Sequence, residues 1–316
     1  MTPFSSVMLL LLATLTSTAL CGPLGKHKGE EPRYTETKGI SQALFDDLQL
    51  MVQYSAATYY PSNINSTGDK LSCSRDHCKD LPKDNCPRVE EANAFTSNEF
   101  MNTIDGDDNG YLAIDDSNKL IVLAFMGSKG WVNWIRNLEI SLIPADLCHE
   151  CEAHEGFWKQ YVPMRAEYMD LVTKAHEQYP QYRIIATGHS LGAALATFAA
   201  ADIRRLDNPW YLANTELYTY GSPRVGNEAT ARFLSEQSEH SYRVTSMNDV
   251  VTRMPPVHDD YWHMQPEYWI RKNPDNPRPE DITVLTGYNN KKGNRHSHSL
   301  TGEPHRHYFG LIRGCD

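Results

Sequence analysis

Beyond its N-terminal segment the chain has no apolar run of the roughly 20 residues that a membrane-spanning helix takes, which predicts no transmembrane segment. Positive charge is short as well: 30 Lys and Arg stand against 40 Asp and Glu, a formal net charge of −10. That deficit excludes nucleic acid as a partner, because phosphate binding needs a basic face to displace counterions. It also excludes purely electrostatic attachment to an anionic membrane, so any contact with lipid has to be apolar. Repeats and low-complexity tracts are missing, which excludes a solenoid or a disordered chain. What remains, at 40% hydrophobic and 22% charged residues, is the composition of a globular domain.

The N-terminus "MTPFSSVMLLLLATLTSTALCG" carries neither Lys nor Arg, and its apolar run from Val7 to Ala13 gives way to small polar residues. This predicts a secretory signal peptide over residues 1–21, cut after Ala19 or Cys21. Thr14, Thr16, Ser17 and Thr18 interrupt the run and argue against an anchor. Residues 22–39 are polar, with Gly and Pro, and read as a flexible leader or propeptide; residues 40–316 read as one domain. The expected destination is extracellular.

Cysteine usage agrees. Once Cys21 leaves with the signal, Cys73, Cys78, Cys86, Cys148, Cys151 and Cys315 remain, an even number that in an exported chain predicts three disulfides. Cys148–Cys151, within "CHEC", is the simplest pair; zinc or redox chemistry there would want a second such motif or a reducing compartment. The other four cysteines allow three pairings, with one of Cys73, Cys78 or Cys86 tying down Cys315. Asn65-Ser66-Thr67 is an N-glycosylation acceptor in a polar loop.

"ISQALFDDLQLMVQYSAATYY" (40–60) has apolar residues at helical spacing and predicts the first helix. From residue 111 onward strands and helices alternate. "KLIVLAFM", "YRIIATG", "TELYTYGS" and "SYRVTSMN" read as buried strands, with helices in "GFWKQYVPMRAEYMDLVTKAHEQYP" (where Pro163 kinks or delays it), "SLGAALATFAAADIRRL" and "GNEATARFLSEQ". That order predicts an α/β fold with a mainly parallel sheet covered by helices on both faces.

Gly188-His189-Ser190-Leu191-Gly192 fits G-x-S-x-G, and it follows a strand and opens a helix, the context that the motif requires. The turn is so sharp that bulk beside the serine would clash, and the two glycines relieve the clash. The competing reading is a serine that only caps the helix. A serine hydroxyl attacks well only when a histidine takes its proton and a carboxylate orients that histidine. In this order of elements the carboxylate comes next. Asp249 ends the strand "SYRVTSMN", with Asp259 and Asp260 as rivals. The histidine comes last, from among His258, His263, His296, His298, His305 and His307.

With "QYSAATYY", "NKLIVLAFMGS", "NWIRNL", "HEGF", "YRIIATGHSLGAALAT", "YGSPRVGN", "NDVVTRMPP", "PEYWI" and "HRHYFGLIRGC" in that order, the chain resembles the class 3 lipase family of secreted filamentous-fungal enzymes, whose relatives include feruloyl esterases. The resemblance implies an α/β-hydrolase fold with a short helical lid and a Ser190, Asp249, His305 triad, His305 being selected by its place ahead of Tyr308-Phe309. It implies an oxyanion hole made by the backbone N–H groups of Ser128 and Leu191, with the Ser128 hydroxyl as an added donor. It places a lid at "WVNWIRNL", where Trp131, Trp134, Ile135 and Leu138 fall on one helical stripe, and acyl-pocket walls at Val251 and Met254. Three positions depart from the family pattern: Met126 stands where Arg is frequent, Ala193 where Gly is usual, and Arg306 where an apolar residue is common.

The expected function is therefore a secreted monomeric esterase that needs no cofactor and no metal and acts on triacylglycerol at a lipid–water interface. A feruloyl or other soluble-ester esterase is the alternative, and a catalytically inactive surface-binding relative the second. Asp105, Asp107 and Asn109, with Asp116 in the twelfth position, nearly fit a calcium loop. The last ligand is Asp instead of Glu, however, and Asn109-Gly110 reads as a hairpin turn. The "HSHS" and "HRH" clusters read as exposed loops.

Overall fold

The computed structural model describes residues 34–73, 85–101, 109–128, 130, 139–288, 290–296 and 301–312. In chain order the strands are β1 (Glu36–Lys38), β2 (Phe95–Met101), β3 (Asn109–Asp115), β4 (Leu120–Phe125), β5 (Leu142–Pro144), β6 (Glu152–His154), β7 (Arg183–His189), β8 (Thr215–Tyr220), β9 (Ser241–Ser246), β10 (Glu267–Ile270) and β11 (Ile282–Leu285). The helices are α1 (Gln42–Ala57), α2 (Pro87–Glu91), α3 (Glu155–Tyr161), α4 (Arg165–Gln178), α5 (Leu191–Ile203), α6 (Pro209–Asn214) and α7 (Glu228–Gln237). A nine-stranded sheet runs β1-β11-β10-β9-β8-β7-β4-β3-β2. The adjacent strands β4, β7, β8, β9 and β10 are parallel, and antiparallel pairs extend both edges. This is the α/β-hydrolase architecture.

Alternation along the strands makes two cores. Ile121, Leu123 and Phe125 of β4, with Ile184 and Ala186 of β7, pack under α3, α4 and α5. Leu120, Val122 and Ala124, with Ile185, pack under α1 on the opposite face. Successive side chains of a strand point to opposite faces, so a strand buried on both sides must be apolar throughout. Pro163 ends α3 instead of kinking one long helix: a 3₁₀ turn over Val162–Met164 separates α3 from α4. Buried Asp202 of α5 then joins the pair, accepting from Tyr161 Oη at 2.6 Å and from Arg165 Nη2 at 2.6 Å.

Two expectations change. The leader read as flexible to residue 39 ends earlier, because Glu36–Lys38 adds an antiparallel edge strand to β11. Its side chains are exposed, so the main-chain ladder holds it, and hydropathy gives no sign of that. Asn109-Gly110 is not a turn. Both residues open β3, paired with Met101 and Phe100. A Cβ on Gly110 would collide with the Phe100 ring and the Ala124 carbonyl, so this glycine serves close packing. Asp105 and Asp107 lie outside the described residues.

The cysteines pair as Cys73–Cys86, with Cα atoms 5.8 Å apart, and Cys148–Cys151, at 5.1 Å. Cys78 and Cys315 lie outside the described residues, as do the expected signal peptide and the lid residues Trp131, Trp134, Ile135 and Leu138. Asn65 is exposed at a turn with φ +56°, where its N–H donates to Glu99 Oε2 at 2.6 Å.

Candidate active site

Parallel strands set the site, because their carboxyl ends all open on one edge of the sheet. Four segments leave that edge: Met126–Ser128 after β4, Ser190 after β7, Gly221 after β8, and the turn carrying Asp249 after β9. Ser190 has φ +58° and ψ −127°, a backbone state that costs a non-glycine residue about 1–3 kcal/mol. The surrounding structure enforces it. A Cβ on Gly188 would run into the backbone of Gly192, and one on Gly192 into that of Phe125, so strand, turn and helix close on each other with no room to relax.

Ser190 does not cap α5 with its side chain. Its Oγ lies instead 2.8 Å from Nε2 of His305, whose Nδ1 lies 2.8 Å from Oδ2 of Asp249. All three residues are fully buried. The carboxylate is further satisfied by the Tyr308 hydroxyl, donating to Oδ2 at 2.6 Å, and by the Val251 N–H, donating to Oδ1 at 2.8 Å. Burial and the adjacent Asp249 push the Tyr308 hydroxyl well above its ordinary pKa, so it stays a donor.

His305 is also held from behind. His189 Nε2 meets the His305 carbonyl at 2.7 Å and its Nδ1 meets Tyr59 Oη at 2.8 Å. A carbonyl only accepts, so Nε2 carries the ring proton and Nδ1 accepts from Tyr59. Gly221, at φ +63°, leaves the space the imidazole needs. A Cβ there would sit 2.9 Å from His305 Cε1 and 3.1 Å from Asp249 Oδ2.

The Leu191 N–H is the first of α5 and has no intrahelical acceptor to use. The segment before Ser128 presses on the serine: a Cβ on Gly127 would stand 3.1 Å from Ser190 Cβ. Gly127, the neighbour of Ser128, therefore lies against Ser190, and Leu191 follows it in the chain. Met126 is buried. Val251 is buried in the turn after Asp249, and Met254 is half-buried.

The rival residues sit elsewhere. Asp259 is 3.4 Å from exposed His258, Asp260 accepts from Trp262 Nε1, and His307 pairs with Asp275 and Glu303. His263 is half-buried against the Thr252 carbonyl, and His298 lies outside the described residues. Tyr59, His189, Gly221 and Tyr308 were not singled out for a role at the site by sequence reasoning. Each falls within a motif quoted above, but nothing local says that these four distant segments come together around the His305–Asp249 pair.

Residues 122–259 match the family described as "Lipase (class 3)". The chain is 37% identical over 259 residues to the secreted mono- and diacylglycerol lipase A of Penicillium cyclopium, covering 81% of this chain and 80% of that protein. It belongs to the class 3 lipase family. Among solved structures, the mono- and diacylglycerol lipase from Aspergillus oryzae is similar at a TM-score of 0.77 and 35% identity, over 86% of this chain and 98% of that one. A fungal lipase solved as an example of "an unusual buried polar cluster" is similar at a TM-score of 0.77 and 36% identity, with 86% and 98% covered. In a class 3 lipase, a serine, an imidazole and a carboxylate in hydrogen-bonded sequence form an arrangement that can draw a proton from the hydroxyl as it attacks an acyl carbonyl.

Proposed function

We propose that this class 3 lipase is an exported enzyme that hydrolyses acylglycerol esters through an acyl-enzyme. Ser190 Oγ attacks the ester carbonyl while His305 Nε2 takes its proton. Asp249 holds the imidazole in the required tautomer and stabilises its cation. The N–H groups of Ser128 and Leu191 receive the oxyanion; one such donor is typically worth about 2.7–4 kcal/mol of barrier. His305 returns the proton to the departing glycerol oxygen, which leaves as an alcohol. Water then repeats the sequence on the acyl-serine and releases the fatty acid. The observation that carries this reading is the Ser190–His305–Asp249 chain, 2.8 Å at each link.

Triacylglycerol is the substrate that the sequence reading favours, and the names of similar Penicillium and Fusarium relatives add mono- and diacylglycerols as a second reading. Those relatives are named as secreted, which supports export through the signal peptide over residues 1–21 and a glycan on exposed Asn65. Val251 and Met254 are proposed as acyl-pocket walls. Rates on purified mono-, di- and triglyceride of one chain length decide between the substrates. Methyl ferulate in the same panel tests the soluble-ester alternative.

Ser190→Ala, Asp249→Ala and His305→Ala should each lower kcat by about 10⁴-fold or more with the fold retained, and double variants should lose little beyond the worst single one. His307→Ala is the control, since His307 faces Asp275 and Glu303. An active His305→Ala alongside an inactive His307→Ala would reverse the assignment. Stoichiometric labelling of Ser190 by an organophosphate would exclude an inactive relative.

A further inference from the structure

Tyr59 and His189 lie where three parts of the site meet. Tyr59 is buried in the turn that follows α1, with its N–H donating to the Ala56 carbonyl at 3.0 Å. Its hydroxyl donates to His189 Nδ1 at 2.8 Å, and His189 Nε2 donates to the His305 carbonyl at 2.7 Å. His189 is fully buried and immediately precedes Ser190. The oxyanion segment rests on the same pair. A Cβ on Gly127 would stand 2.4 Å from Tyr59 Oη and 2.6 Å from the His189 carbonyl oxygen, so the chain just ahead of Ser128 runs directly over both residues.

Geometry sets what this contact adds. His305 sits in a four-residue 3₁₀ turn, Glu303–Arg306, and its ring is bonded at both nitrogens, to Asp249 and to Ser190. Bonds at the two nitrogens alone leave the ring able to swing about the line that joins them. An anchor on the main-chain carbonyl fixes where Cα and Cβ stand and removes that swing. The two imidazoles also lie together, with centroids 4.5 Å apart and planes at 32°, so a shift of His189 reaches the His305 ring directly. Tyr59 in turn decides which nitrogen of His189 carries the proton. With the hydroxyl donating to Nδ1, the proton stays on Nε2, where the carbonyl accepts it.

We propose that Tyr59 and His189 form a positioning pair for hydrolysis. His189 fixes the main chain of His305, and Tyr59 fixes both the tautomer of His189 and the segment ahead of Ser128. Base and oxyanion donors are thereby aligned on Ser190 together. This role presupposes the Ser190–His305–Asp249 triad proposed above. A misplacement of about 1 Å at a reacting group can cost roughly 10²-fold in rate, which sets the scale of the effect.

The test measures hydrolysis of p-nitrophenyl butyrate, a soluble ester, by the purified secreted protein, with Tm followed in parallel. His189→Asn keeps an acceptor near the position of Nδ1 for Tyr59 but falls short of the His305 carbonyl. His189→Gln carries an amide N–H to the position of Nε2 and gives up the acceptor. The Asn variant should lower kcat by roughly 10²-fold with KM little changed, and should weaken the far-downfield proton NMR signal of the His305–Asp249 bond. The Gln variant should recover most of both. Tyr59→Phe deletes one hydroxyl, keeps the ring, and should lower kcat roughly tenfold; it carries the test if the Asn variant does not fold. Equal losses in the Asn and Gln variants, an Asn variant at the wild-type kcat, or a Tyr59→Phe variant at the wild-type kcat would each overturn the proposal. Failure of the triad reading is distinguishable, because Ser190→Ala would then stay active.

Discussion

The Asp249 carboxylate accepts three hydrogen bonds, from His305, Tyr308 and Val251, and this number sets what each is worth. Tyr308→Phe removes one charge-assisted donor and leaves the imidazole pair intact. It should lower stability by about 1.5–3 kcal/mol and kcat/KM roughly tenfold, far less than Asp249→Ala. A variant unchanged in both Tm and rate would show that the Tyr308 bond contributes nothing. His154 makes a different residue-scale claim. Its Nδ1 caps α3 by accepting from the Phe157 N–H at 3.3 Å, its ring stacks on Phe157, and burial brings its pKa down to about 4. A histidine with a depressed folded pKa binds fewer protons in the folded than in the unfolded state, whose ordinary value is 6.5. Its contribution is therefore complete above pH 6.5 and is lost as pH falls towards 4, by about 3 kcal/mol at most. His263 and His176, also lowered by burial, act in the same direction. His154→Asn keeps a cap acceptor but cannot titrate. Urea unfolding at pH 7 and pH 4.5 should show the gap between wild type and variant narrowing on acidification, and a constant gap would refute the assignment.

At the scale of elements, the most legible unit was β7–Ser190–α5. Its strand, glycines and helix are contiguous, and the local steric problem is written in the same few residues that solve it. The placement of Asp249 at a strand end followed from the same logic. The edge strand β1 was not legible, because its pairing with β11 depends on main-chain groups far along the chain. Asn109-Gly110 misled for a related reason: the glycine answers to Phe100 and Ala124 across the sheet, not to its own neighbours in sequence. The lid expectation at Trp131, Trp134, Ile135 and Leu138 concerns residues beyond those described, and function tests it directly. If this stripe covers the site in water, opening exposes a few hundred Å² of apolar surface, which at about 25 cal/mol per Å² amounts to several kcal/mol. A lipid surface removes that cost. Activity on a short-chain triglyceride should rise steeply at its solubility limit, and Trp134→Ser should blunt the rise more than it slows hydrolysis of a soluble ester. Smooth saturation across the limit in the wild type would remove the lid from the mechanism and favour the soluble-ester reading.

For the whole molecule, covalent closure is the outstanding expectation. With Cys73–Cys86 and Cys148–Cys151 formed, we propose that Cys78 pairs with Cys315 after Cys21 leaves with the signal peptide. Asn85 Nδ2 donates to the Leu311 carbonyl at 2.8 Å, which already draws the chain beside Cys86 to the C-terminal segment. Peptide mapping of the non-reduced secreted protein should recover Cys78 linked to Cys315 and no free thiol. A Cys315 that alkylates without reduction would reject the pairing. The sequence by itself determined the α/β alternation, the disulfide-bearing character, the Ser190 turn and the order in which Asp249 and His305 follow it. Each of these rests on residues close in the chain, where hydropathy period and turn sterics act. Only the tertiary structure decided which cysteine meets Cys86, and how His189, held by Tyr59, comes with Gly221 and Tyr308 to the His305–Asp249 pair. Those are contacts between strand ends and loops far apart in sequence, and parallel pairing alone brings them to one edge.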